Sequence, residues 1–107
     1  MITVQYHKKH CRLTVDGHAY SGEAGHDVVC AAASILAYTL AANVQGMEAA
    51  GKVHDVTLAL EQGHAEISCR PVHKYQSVVE LVFSSVCAGF EILAANFPGN
   101  VIYQIYF

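Results

Sequence analysis

Three side chains in one short segment have the types and spacing for nucleophilic chemistry: His18, Asp27 and Cys30, within GHAYSGEAGHDVVCAAAS from Gly17 to Ser34. A thiol becomes a nucleophile at neutral pH when a base takes its proton and a positive potential holds the thiolate. His18 is a candidate base. Asp27 precedes an alanine-rich run and reads as the N-cap of a helix, its carboxylate accepting from backbone amides two or three residues on. Cys30 then falls in the first turn, beside amides without helical partners and at the positive end of the helix dipole. Such a position can lower a thiol pKa by about one unit or more from about 8.5. The same amides are expected to hydrogen-bond the oxyanion of a tetrahedral intermediate. The implied reaction is acyl transfer through Cys30, with His18 as general base and then general acid.

The residues around the thiol fit this reading. Ala31, Ala32 and Ala33 have no bulk to obstruct a substrate close to the sulfur. The loop between His18 and Cys30 contains Gly22 and Gly25, which give it freedom to fold back, and His26, a second imidazole near the sulfur. Ser34 lies one turn beyond Cys30 on the same helix face, where it can steady the thiol, line a cleft or serve helix packing. A plain structural reading stands beside the catalytic one. A lone cysteine on an alanine-rich helix is commonly a small buried hydrophobe, and an aspartate before a helix is commonly only a cap.

The elements that must position these residues follow from periodicity. Ile2–Tyr6 and Cys11–Val15 alternate apolar and polar residues around a polar turn at His7–His10, which predicts a hairpin. A helix is expected from Val28 to Val44, with Gly46 and Gly51 marking its exit. Val56, Leu58 and Leu60, the turn Gln62-Gly63, and Ala65, Ile67 and Cys69 form a second hairpin, ended by Pro71. Tyr75, Val78, Val79, Val82, Val86, Phe90, Leu93 and Phe97 recur at helical spacing up to Pro98-Gly99-Asn100. Val101–Phe107 is a last strand. The order ββαββαβ predicts a two-layer α+β domain over residues 1–107, its sheet mostly antiparallel and both helices on one face.

Composition narrows the function classes. Of 107 residues, 53% are hydrophobic and only 14% charged, so apolar surface remains after a single core is built, and self-association would cover it. A net charge of −3 with six Lys and Arg argues against a nucleic-acid face, and Lys8, Lys9 and Arg12 read as a solvated hairpin tip. Cys11, Cys30, Cys69 and Cys87 include no CxxC pair, and no signal-peptide pattern precedes them, which implies free thiols in a reducing cytoplasm. The apolar stretch Val28–Val44 falls short of a membrane span of about 20 residues and reads as a buried helix. His7, His10 and Cys11 make a weak metal pattern without a carboxylate, and no metal or other cofactor is implied. His54, His64 and His73 sit at element boundaries. Cys69 and Cys87 read as packing residues, and Tyr103 and Phe107 as core or dimer surface.

The run Gly17-His18-Ala19, a short loop, then Gly25-His26-Asp27-Val28-Val29-Cys30-Ala31-Ala32-Ala33-Ser34 resembles the signature of the ribosomal-processing cysteine protease (Prp) family. That signature is a GHA, a variable loop and G-x-D-[IV]-V-C-A-A-x-S. The resemblance implies a cytoplasmic, homodimeric bacterial endopeptidase that removes the N-terminal extension of a large-subunit ribosomal protein. It matches the family histidine to His18, the nucleophile to Cys30, and two further motif residues to Asp27 and Ser34. It also implies that the loop carrying Gly22, Gly25 and His26 orders around the substrate, and that the cleaved bond follows a hydrophobic, aromatic-rich segment. His26 departs from the family, which more often has Lys or another polar residue there. The alternative is a non-catalytic, ribosome-associated dimer that holds a peptide. A thiol redox sensor ranks last, because no second cysteine lies near Cys30 in sequence.

Overall fold

The structure is a computed structural model that describes residues 1–18 and 27–107. Its elements are β1 (Ile2–His7), β2 (Arg12–Gly17), α1 (Val28–Ala49), β3 (Val53–Glu61), β4 (His64–Pro71), α2 (Gln76–Asn96) and β5 (Val101–Tyr106), with single 3-10 turns at Lys8–His10 and His73–Tyr75. The order is the ββαββαβ expected. The strands form one sheet in the order β3-β4-β2-β1-β5, antiparallel except where β1 and β5 run parallel.

Alternation along β1 sends Ile2, Val4 and Tyr6 into the core, and the register sets Leu13 and Val15 of β2 and Tyr103 of β5 on the same face. This face carries the helices. Tyr6 stacks on Phe83 of α2 with centroids 5.9 Å apart. On α1, Val29, Ala33, Ala37, Leu40, Ala41, Val44 and Met47 make the buried stripe. Small residues in that stripe let the two helices approach closely, and a Cβ on Gly89 of α2 would lie 2.6 Å from Leu36 Cδ2. Both helices are long and apolar enough to cross a membrane by length and composition alone. In this fold each lays a buried stripe along the sheet and leaves its other face outward.

Two boundaries differ from the sequence reading. α1 continues five residues past Val44 to Ala49, because Gly46 faces open space and costs only its low helix propensity, about 1 kcal/mol, while Met47 extends the buried stripe. The residue that turns the chain is Gly51, with φ +73°. β3 begins at Val53, earlier than the alternation suggests, because its pairing with β4 shifts between His54 and Thr57. Asp55 takes φ 52° at that irregularity, and its carboxylate meets His54 Nδ1 at 3.2 Å and Arg70 at 3.7 Å.

Candidate active site

His18 follows directly on β2, and the residue before it fixes its place. Gly17 has φ +101°, and a Cβ there would stand 2.2 Å from the Met1 carbonyl oxygen, so only glycine fits. The Gly17 amide donates to the Gly63 carbonyl at 2.9 Å, tying the end of β2 to the β3–β4 turn. The Met1 ammonium donates to the His18 carbonyl. The imidazole rests on the same turn, its Nε2 2.8 Å from the position a Gly63 Cβ would occupy.

Cys30 is set by the cap of α1. Asp27 Oδ1 accepts from the amides of Val29 at 3.0 Å and Cys30 at 3.1 Å, and its carbonyl accepts from Ala31 at 3.2 Å. The cap is the one expected, with one consequence that the sequence reading did not foresee. The amides of Val29 and Cys30, assigned to an oxyanion on position alone, already have the Asp27 carboxylate as acceptor.

His18, Cys30 and Ser34 line one cleft of about 360 Å³ between the N-terminal half of α1 and the ends of β2, β3 and β4. Ile2, Val15 and Ala65 line it from the sheet, Tyr38 from α1, and Leu60 and Gly63 from the hairpin. Glu61, Gln62 and His64 complete the lining, so the walls combine apolar side chains with a polar rim contributed by the hairpin. Gly22, Gly25 and His26, read as the substrate loop, lie outside the described residues.

The four thiols are not equivalent. Cys11, Cys69 and Cys87 are buried, whereas Cys30 is partly exposed at the cleft. Burial pushes the Cys69 thiol up to about 12, and pushes Cys11 upward as well. Cys87 rises to about 11, burial outweighing a hydrogen bond from Tyr103 that acts in the opposite sense. Cys69 and Cys87 are therefore packing residues. Tyr103 also packs on the core, but Phe107 is 76% exposed and lies under the Lys8 ammonium. His7 stacks on Tyr106 with centroids 4.8 Å apart, while Cys11 turns into the core, so the H-x-x-H-C pattern is split.

Sequence reasoning missed the contribution of the β3–β4 hairpin. His64 hydrogen-bonds Asp16 across the β2–β4 ladder at the cleft rim, and that bond is the main cause raising the His64 pKa above its ordinary value. The Gln62-Gly63 signal marked a turn, but nothing local showed that the turn would lie beneath His18.

The family model described as cysteine protease Prp matches residues 1–102. Among solved structures, the ribosomal processing protease Prp from S. aureus with a covalently linked product peptide aligns with TM-score 0.77 and 23% identity, over 99% of this chain and 100% of that one. The same protease with a substrate peptide aligns with TM-score 0.72 and 22% identity, with the same coverage. SMU.848 from Streptococcus mutans is 30% identical with TM-score 0.67, over 97% of this chain and 90% of that one. No curated protein sequence matches. With one family pattern running through nearly every element described above, the chain belongs to the cysteine protease Prp family.

Proposed function

We propose that this protein is an endopeptidase working through a Cys30–His18 dyad on the N-terminal extension of a large-subunit ribosomal protein. The observation that carries the mechanism is the shared cleft: the partly exposed thiol of the chain opens onto the same space as the imidazole held at the end of β2. His18 takes the thiol proton as sulfur bonds to the scissile carbonyl carbon. The tetrahedral adduct collapses with cleavage of the C–N bond, and His18 returns the proton to the departing amine. Water, deprotonated by His18, then attacks the thioester, which releases the new carboxylate and restores the thiol.

The substrate assignment draws on the S. aureus protease, whose structures hold a substrate peptide and a product peptide. The apolar lining from Ile2, Tyr38 and Leu60 suits a hydrophobic, aromatic-rich segment. A homodimer belongs to the same proposal, supported by exposed Ile35, Leu81 and Ile92 on the outer faces of the helices; action in the cytoplasm is proposed with it on the family resemblance.

The test pairs activity with thiol chemistry. Native protein treated with iodoacetamide well below pH 8 is expected to lose one thiol quickly, where an ordinary thiol of pKa about 8.5 stays protonated and slow, and Cys30→Ala to lose none on that timescale. Cys30→Ala and His18→Ala are expected to fold normally yet leave a peptide carrying the extension uncut. Cleavage by Cys30→Ala would refute the nucleophile. Tight peptide binding without cleavage by the wild-type protein would favour the peptide-holding dimer instead.

A further inference from the structure

The β3–β4 turn lies on the far side of the sequence from the motif, yet it is what the imidazole rests on. An ideal Cβ on Gly63 would lie 2.8 Å from His18 Nε2, 3.2 Å from Cε1 and 3.6 Å from Cδ2. The approach is led by the nitrogen end of the ring. Backbone bonding makes the contact a fixed one, because the Gly17 amide next to His18 donates to the Gly63 carbonyl itself. The turn and the histidine are therefore locked at one main-chain point and meet again through the ring.

We propose that Gly63 is a positioning residue for His18: its missing side chain leaves the space in which the imidazole sits. This inference rests on the reading of His18 as general base. The chemistry it uses is steric. A methyl group at this place would overlap the Nε2 end of the ring, and the obstructing atom belongs to the tip of a side chain, not to backbone. The ring therefore yields while the fold stays. A ring displaced by roughly 0.6 Å or more, toward ordinary contact distance, no longer meets the sulfur as it must, and misplacements of about 1 Å cost on the order of 100-fold in rate.

Substitution at Gly63 also brings backbone strain, since its φ is +79°. Gly51 supplies the control. It has φ +73° and open space where a Cβ would go, so Gly51→Ala carries the strain without the contact.

The experiment compares wild type, Gly63→Ala, Gly51→Ala and His18→Ala on a fluorogenic peptide spanning the aromatic-rich extension of a bacterial large-subunit ribosomal protein. The imidazole signals of all four are followed by NMR across pH. Gly63→Ala is expected to lower kcat by about tenfold or more with a much smaller change in KM. Its His18 ring resonances are expected to shift, while Gly51→Ala keeps wild-type kcat and wild-type His18 signals. Wild-type kcat in Gly63→Ala, or an equal loss in Gly51→Ala, overturns the assignment. If His18→Ala still cleaves, the general-base reading falls and this inference with it. If His18→Ala is inactive and Gly63→Ala fully active, the dyad stands and only the role of Gly63 is lost.

Discussion

Asp27 offers a direct measure of what holds Cys30 in place. Its Oδ1 accepts from two amides at once, those of Val29 and of Cys30 itself. Asp27→Ala removes the single acceptor of both bonds from a part-buried helix start, whereas Asp27→Asn keeps an oxygen in the same position. Loss of an N-cap side chain costs about 0.5–2 kcal/mol, and two bonds lost together put this site near the upper part of that range, at about 1.5 kcal/mol. For a domain of this size each kcal/mol moves Tm by roughly 4–6 °C, so Asp27→Ala is expected to melt about 6–9 °C below wild type. Asparagine caps almost as well as aspartate, so Asp27→Asn is expected within about 2 °C of wild type.

Thermal melts by circular dichroism measure the shift. Amide hydrogen exchange at Val29 and Cys30 locates it, with faster exchange expected at both positions in Asp27→Ala alone. Activity separates two roles for the carboxylate. As a cap only, Asp27→Asn cleaves at the wild-type rate. Equal melting of Asp27→Ala and wild type, with unchanged exchange at both amides, would refute the claim that this side chain fixes the first turn.

Two further predictions concern the rim and the outer surface. The His64 pKa is raised chiefly by its hydrogen bond to Asp16, so the stabilisation is full below the unfolded value, about 6.5, and is lost as pH rises through the higher folded value. Urea midpoints of wild type and Asp16→Asn are thus expected to differ more at pH 6 than at pH 9, and an equal difference at both would sink the pairing. Glutamate at both Leu81 and Ile92, which are 66% and 63% exposed, is expected to convert a dimer into a monomer in light scattering. A wild-type protein that is monomeric at tens of micromolar would remove the dimer from the proposal.

What the sequence made legible was local. Alternation in Ile2–Tyr6 and the 3.6-residue stripe of α2 identified the elements, and Asp27 announced its cap, because each signal depends on neighbours a few positions away. Gly46 reads locally as an exit, but helix length is decided by Met47 reaching the core, a tertiary gain that outweighs propensity. The break in β3 is invisible locally because it is a shift in register against β4, with Asp55 at φ 52° inside it. At the site, spacing drew attention to His18 and Cys30 but not to the occupied amides or to Gly63. The first depends on cap geometry, and the second on a contact between residues 45 positions apart.

The parallel pairing of β1 with β5 has a consequence in time. Ile2 donates to Asn100 at 2.8 Å, β1 lies along Val101–Tyr106, and Met1 in turn holds the carbonyl of His18. The histidine of the motif is therefore braced through residues made about 80 positions later than itself. A nascent chain that has already produced His18 and Cys30 still has no partner for the open edge of β1. Closing so distant a contact is slow compared with forming helices or hairpins. The end of β2 that carries His18 therefore gains this brace only after β5 has been made and has docked.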